Sequence, residues 1–543
     1  MTETQKASED PHPRVLRSVS VVSLMTAISR VGGLVREMAM AYFFGTSALK
    51  SAFDIAFTLP NLFRRLFGEG ALASAFVPVF SETLEKEGKE RAGLLAMRIV
   101  TLLITFLGLL TLGGILISFP VERALAPESR WLIPLPLMRI MLPYALLICV
   151  AALLSGMLNT VGRFAVSSLT PFLLNLVWIV TLVGLFPFLR NEPAFRIRVL
   201  SWMILFAGLA QILFQLPALS RSGFRFRLCF SGLLRDEKLR RVLTLMAPAA
   251  LGMGLIQINV CMDKLLAYWA DAAAPAALEY AERIVYLPLG MFGTAFMTVL
   301  LPTFSRQVSR GDLVSVRDTL ERAIRHLALI MAPCSAALVF LALPVIELIY
   351  SMQGGSFDHT SAVLSARALA AYAPGLLVFS FQKALTPAFY GLQDLRTPVR
   401  VSLFGLLLNF TLNVLCVGLL PHGWKHVGIA GATVFTSVVN GLTLAVILHR
   451  RLGTPRASAL TGPVVRAIAA ALVMALAAFH AHAATLRAAL ATGCPTKASQ
   501  LLAIGVAVIL AVAVYGALMM LLNRNELREM VGEFRQRRTK KGN

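Results

Sequence analysis

Fourteen stretches of the chain are apolar over about 18 residues or more, and each is long enough to cross a bilayer as a helix. They fall at about 15–44, 51–80, 93–119, 132–158, 165–189, 198–219, 239–269, 277–304, 319–345, 362–390, 397–420, 426–448, 463–484 and 499–522. No soluble core could absorb them: 57% of the 543 residues are hydrophobic, only 15% are charged, and mean hydropathy is +0.73. The solvent must be lipid. In lipid every backbone N–H and C=O has to be satisfied within the segment, so the runs predict helices. The fold class is therefore an all-α integral membrane protein of about fourteen transmembrane helices.

The polar residues narrow the function. Cys149, Cys229, Cys261, Cys334, Cys416 and Cys494 show no CxxC or Cys/His spacing, which implies neither a zinc site nor a disulfide framework. Residues 1–13 are polar, and the run after them carries charges and no small-residue cleavage site, so it reads as a first span. The net charge of +23 is spread over many short loops without a nucleic-acid-binding module, and no nucleic-acid partner is expected. Lys and Arg crowd alternate loops: Lys86, Lys89 and Arg91; 221–241; 306–325; Arg450, Arg451 and Arg456; and the tail 524–541. The opposite loops at 270–277 and 351–360 carry almost none. With an even number of spans, the positive-inside rule puts both termini in the cytoplasm.

The two halves echo each other. Leu59-Pro60, Phe67-Gly68, Pro78 and Phe80-Ser81 return as Leu287-Pro288, Phe292-Gly293, Pro302 and Phe304-Ser305. Gly156, Val166-Ser167 and Leu173-Leu174-Asn175 return as Gly391, Val401-Ser402 and Leu407-Leu408-Asn409. The expected organisation is a cytoplasmic tail (1–14), an N-lobe of spans 1 to 6 (15–220) and a cytoplasmic linker (221–238). A pseudo-symmetric C-lobe of spans 7 to 12 (239–450), two extra helices (463–522) and a basic tail (523–543) complete it. Two parallel six-helix repeats around a midplane cavity are a transporter architecture.

A charge in hydrocarbon costs several kcal/mol unless it meets water or a partner, so intramembrane charges are the informative residues. The first span carries Arg30, Arg36 and Glu37, and the second Asp54, Arg64, Arg65 and Glu69. Spans 7 and 8, their counterparts in the repeat, carry Asp263, Lys264, Glu279, Glu282 and Arg283. Ideal helix geometry puts Asp54, Arg65 and Glu69 on one face, with Arg64 about 80° away. Gathered guanidinium groups suit an anion with several oxygens, because they stay ionised and bind phosphate through two parallel hydrogen bonds. The alternative is that they snorkel to lipid phosphates. A second polar set holds Asn259 and Asp263, Asn409 and Asn413, and Thr433 and Thr436. Such oxygens suit a small hard cation such as Na⁺, or serve as interhelical hydrogen bonds.

The stretches Ile28 to Arg36 (ISRVGGLVR), Leu59 to Ala71 (LPNLFRRLFGEGA), Tyr280-Ala281-Glu282-Arg283 and Ala388 to Val399 (AFYGLQDLRTPV) resemble the MurJ (MviN) lipid II flippases of the MOP exporter superfamily. The likeness extends over about 15–520. It implies a transporter, not an enzyme, with a cationic cavity opening alternately to cytoplasm and periplasm. The implied cargo is lipid II, the undecaprenyl-diphosphate-linked disaccharide-pentapeptide of peptidoglycan, moved across the bacterial inner membrane for cell-wall synthesis proteins. By motif, Arg30, Arg36, Arg64 and Arg283 would hold the diphosphate and its sugar, with Arg65, Asp54 and Glu69 beside them. The last two helices would house the polyprenyl tail. No organic cofactor is implied; Na⁺ is the candidate coupling ion, at Asp263, Asn409, Asn413 and Thr433. The chain departs from the family at Glu37, where Asp is usual, and at Ser51, where Asp54 one turn later stands in for the family's Asp. It departs again at Asn413, where Na⁺-binding members tend to carry a carboxylate. Another exporter of the superfamily, for lipid-linked oligosaccharides or drugs, is the alternative; a drug exporter would favour acidic cavity residues.

Overall fold

The computed structural model describes residues 31–68, 71–231, 236–453 and 457–529, and within them the secondary structure is helical without strands. Ten of these helices are long and apolar enough to span a membrane. An eleventh span is counted if His359–Tyr372 and Gly375–Gly391, bent by 44°, form one broken span. The protein is thus a multi-pass membrane protein. The runs at 15–44, 51–80 and 239–269 are not among these spans. The first extends beyond the described residues, and the second is divided by a π-helical turn at Arg64–Gly68.

The chain separates into two compact units, Met1–Phe44 with Ala48–Cys261 and Gly45–Ser47 with Met262–Asn543. The first contains α1 (31–44), α2 (Ala48–Phe63), α3 (Ala71–Ala124), α4 (Pro134–Thr160), α5 (Phe164–Ile179), α6 (Pro193–Arg221) and most of α7 (Glu237–Ala270). At its centre, α4 packs on α2, α3 and α6. Its apolar stretch is 61% buried within the protein, against 33% for α3, as expected of a helix apolar all round. Phe53, Phe76, Phe80, Met141, Tyr144 and Trp178 form the core around it. The helix α3 is broken at Gly88 (φ 84°, ψ 178°), a conformation that glycine adopts without a Cβ clash. Ion pairs from Asp236 to Arg98, Lys238 to Glu87 and Arg241 to Glu82 (2.9 Å) fasten the start of α7 to α3. That fastening explains why the division between units falls inside α7.

The second unit holds α8 (Ala274–Pro288), α9 (Thr294–Ser309), α10 (Leu313–Phe340), α11 (Ala342–Tyr350), α12 (His359–Tyr372) and α13 (Gly375–Gly391). The helices α14 (Arg396–Leu419), α15 (Lys425–Leu452), α16 (Ala457–Ala491) and α17 (Thr496–Leu522) complete it. The pair α16 and α17 leans on α10 through small and flexible side chains, Ala332, Ala336, Ala471, Met474 and Ala475, the close approach favoured where lipid removes the hydrophobic drive. Outward, Ile509, Val512 and Leu521 are 69–79% exposed, which suits a lipid-facing hairpin.

The repeat reappears as geometry. Pro60 and Pro288 lack the N–H that an α-helix needs. Each is followed within four residues by a π-helical turn, Arg64–Gly68 and Leu289–Gly293, that ends on the repeated Phe-Gly. The widened turn shifts the helical phase, so the ideal-helix face assigned to Asp54 and Arg65 does not apply.

The motif around Asp394 is a staple between α13 and α14 that reaches α15. The Asp394 carboxylate accepts from Arg396 N (3.0 Å), Thr397 N (3.0 Å), Thr397 Oγ1 (2.6 Å) and Arg451 Nη1 (2.6 Å). The Thr397 hydroxyl, its backbone N–H and Arg451 together hold this carboxyl at about 2, below its ordinary 3.8. Because the folded value is depressed, the stabilisation is present above about pH 4 and is lost as pH falls towards about 2. Thermal midpoints of detergent-solubilised protein should decline over that interval, and Asp394→Asn should flatten the decline. An undiminished slope in the variant would contradict the assignment.

Candidate functional site

In the first unit α1, α2 and α5 bring charges together. Arg36 donates from Nη2 (2.7 Å) and Nε (3.3 Å) to Glu37 Oε1 and from Nη1 to Asn175 Oδ1 (3.0 Å). Its guanidinium lies 4.4 Å from the centre of the Trp178 ring, so one face is stacked while the edge is forked. Glu37 continues the chain: its Oε2 is 3.9 Å from Lys50 Nζ. Lys50 in turn donates to both oxygens of Asp54 at 2.6 Å. The side chains of Arg36, Glu37, Lys50 and Asp54 are 11%, 5%, 1% and 10% exposed. Two cations and two anions alternate in a nearly closed environment, an arrangement that makes so many buried charges tolerable.

Two further arginines lie just beyond α2. Arg64 donates to Asn61 Oδ1 (2.9 Å) and Arg65 to Gln257 Oε1 on α7 (3.1 Å). Both are half-buried in the π-helical turn, so adjacent residues leave in different directions. Arg30 and Glu69 lie outside the described residues. Lys50, Asn175 and Trp178 join the site from the structure, not from the sequence pattern. Lys50 was legible as an i, i+4 partner of Asp54, and Asn175 as the repeat counterpart of Asn409.

In the second unit Glu279 is shared by Lys264 Nζ (2.6 Å) and Arg283 Nη2 (3.5 Å). Arg283 is more open than Arg36, with a side chain 32% exposed. On the same helix Tyr280 packs against Tyr350 at a tilt and against Phe357 edge-on, and donates to Gly45 O (3.0 Å), so the Tyr-Ala-Glu-Arg motif places one anchoring and one cationic residue a turn apart.

The four residues expected to hold a cation meet. Asp263 Oδ1 accepts from Asn413 Nδ2 (2.6 Å), and Asp263 Oδ2 from Thr433 Oγ1 (3.2 Å). Asn413 Nδ2 also donates to Asn409 Oδ1 (2.8 Å), and Asn409 Nδ2 reaches Thr433 Oγ1 (3.4 Å). Asn409 and Asn413 are 1% and 0% exposed, and Asn413 Oδ1 is buried without a hydrogen-bond partner among the described residues. An orphaned acceptor beside a carboxylate is a set short of positive charge, and it fits a small cation. Asn259 falls in the first unit.

The fold and these polar clusters define a multi-pass helical membrane protein with buried charges paired between its helices. A solved lipid II flippase MurJ in an inward-closed conformation superposes with a TM-score of 0.72 at 21% identity, covering 93% of this chain and 99% of that one. An inward-facing multidrug-resistance MATE transporter of the MOP superfamily matches at 0.64 and 15% identity, over 80% of this chain and 98% of its own. The sequence then narrows the class. The family model for lipid II flippase MurJ matches residues 40–493. The probable lipid II flippase MurJ of Rhizobium meliloti is 32% identical over 473 residues, 86% of each chain. That of Rickettsia prowazekii is 31% identical over 423 residues, 77% of this chain and 81% of its own. The lipid II flippase MurJ of Burkholderia cenocepacia is 32% identical over 448 residues, 80% of this chain and 84% of its own. This chain belongs to the lipid II flippase MurJ family.

Proposed function

We propose that this protein moves lipid II from the inner to the outer leaflet of the bacterial cytoplasmic membrane by alternating access. The observation that carries the reading, beside family membership, is Arg36: a forked guanidinium, 11% exposed, held by Glu37 and Asn175. A diphosphate crossing lipid must exchange its water for fixed donors, and guanidinium supplies them two at a time. Exposing that donor first to one side and then to the other would carry the headgroup, while the polyprenyl tail stays in the bilayer against the 463–522 hairpin. Loops rich in Lys and Arg favour cytoplasmic termini, and the flipped lipid would be taken up by cell-wall synthesis proteins outside.

The cluster of Asp263, Asn409, Asn413 and Thr433 supports Na⁺ as the coupling ion. Bound Na⁺ would supply the positive charge that Asp263 and the Asn413 carbonyl oxygen lack. Each charge moved across 100 mV is worth about 2.3 kcal/mol, enough to give direction. Depletion of the protein should strand lipid II in the inner leaflet, read by an outer-leaflet labelling assay. Na⁺ should also raise the thermal midpoint of the wild type but not of Asp263→Asn. Unchanged leaflet distribution on depletion would refute the transport reading, and a Na⁺ shift equal in both proteins would refute the ion site.

A further inference from the structure

We infer that a cleft between the first turns of α10, the second half of α13 and the last turns of α15 seats a phospholipid whose headgroup carries a primary ammonium, as in phosphatidylethanolamine. Glu321 receives the ammonium and Arg317 the phosphate. The inference stands on the second unit alone and does not depend on the cargo.

The cavity holds about 280 Å³, and its walls include Leu320 and Ile324 of α10, Leu385 of α13, and Leu442, Ala445 and Val446 of α15. Leu442 and Val446 are 62% and 49% exposed on a helix long and apolar enough to cross the bilayer, so the cleft is open to acyl chains. An alkyl chain alone has no use for charge, yet Arg317 and Glu321 also line it. They are one helical turn apart on α10, next to the Lys- and Arg-rich stretch 306–325, at the level where headgroups lie.

Glu321 is the residue that calls for a ligand. Its side chain is 15% exposed, and Oε1 is buried with no hydrogen-bond partner among the described residues. Arg317 Nε stands 3.8 Å from that oxygen, within ion-pair range but too far for a hydrogen bond. The guanidinium is engaged elsewhere, giving Nε and Nη2 to Asp318 Oδ1 (3.3 and 3.2 Å). His449 of α15 lines the same cavity, and Oε1 still takes no hydrogen bond. One guanidinium thus serves two carboxylates, and the set is short of one positive charge and one donor. A primary ammonium brings both, with three N–H groups, whereas a quaternary ammonium brings charge without a donor. Rotation about the last side-chain torsion of glutamate, which is broad, turns either oxygen towards the cavity. The N–H groups that Arg317 does not give to Asp318, on a side chain 31% exposed, then meet the phosphate. An anionic phospholipid is the poorer occupant, because its phosphate would face Asp318 and Glu321 with no ammonium to answer them.

The experiment adds short-chain phosphatidylethanolamine, phosphatidylcholine or phosphatidylglycerol, with identical acyl chains, to the full-length protein in detergent. Thermal midpoints are followed against lipid concentration for wild type, Glu321→Gln and Ala445→Phe. The first variant removes the charge and keeps the shape; the second fills the cleft. For the wild type the midpoint should rise with phosphatidylethanolamine, and the other two lipids should act about tenfold more weakly, for want of the charge-assisted hydrogen bond. Loss of that preference in Glu321→Gln and loss of the response in Ala445→Phe support the inference. Equal responses to the three lipids overturn it, as does no response to phosphatidylethanolamine, or a preference that survives Glu321→Gln. A response that survives Ala445→Phe puts the lipid elsewhere and overturns it too. Each variant decides by itself, so the test stands if one of them fails to fold.

Discussion

Arg36→Ala leaves lipid II on the cytoplasmic leaflet. Removing a buried, hydrogen-bonded charge that receives an anion costs about 3 kcal/mol, a factor of roughly 100 in transition-state or binding terms. Translocation measured by outer-leaflet labelling should therefore fall to background, and the variant should not support growth when the native copy is depleted. Two contacts make the loss specific to the fork: Asn175 and the Trp178 face fix the direction of the guanidinium, so Arg36→Lys, with charge but no fork, should recover only a small part. Loss of the protein itself is excluded by comparing membrane levels, and Lys50 near Glu37 limits the damage to folding. Arg283→Ala should act in the same direction with a smaller loss, about tenfold, because its side chain is 32% exposed and water competes for its contacts. Normal translocation by Arg36→Ala at normal membrane levels would sink the proposed role.

The second large effect is on stability. Asp54→Asn removes the carboxylate whose two oxygens each accept from the Lys50 ammonium at 2.6 Å, on a lysine side chain 1% exposed. Removing one partner of a buried ion pair costs up to about 3–5 kcal/mol, and with Glu37 Oε2 still 3.9 Å from Lys50 Nζ the thermal midpoint in detergent should drop by part of that cost. Adding Lys50→Met removes the buried cation as well and should recover part of the drop, since a buried ion pair adds little stability over an apolar pair of similar size. A single variant that melts like the wild type would show that Lys50 finds another partner at no cost.

Much of this could be read from residue order. Apolar runs between Lys- and Arg-rich loops announced the spans, because lipid leaves the backbone no alternative to helices. The repeat was visible in Leu-Pro and Phe-Gly pairs, and the structure turns those pairs into matching π-helical turns after Pro60 and Pro288. The four residues of the polar cluster around Asp263 were legible because i, i+4 spacing on α14 puts Asn409 and Asn413 on one face, and only Asp263 and Thr433 had to be brought to them. The arginine pair was not legible in the same way. Ideal helix phase assumes 3.6 residues per turn, and the π-helical turn sends Arg64 to Asn61 and Arg65 to Gln257 instead.

Residue order by itself determined that the chain must live in a bilayer, where its charges had to be paired, and which family's motifs it carries. These depend on transfer free energies and spacing along one dimension. Only the tertiary structure decided which charge answers which: that Asp54 holds Lys50, that Glu37 stands between Lys50 and Arg36, and that Asn175 on α5 completes the guanidinium's shell. Pairing depends on distances of a few ångströms between helices, and Coulomb energy in a low dielectric changes too steeply over that range to be inferred from positions along the chain.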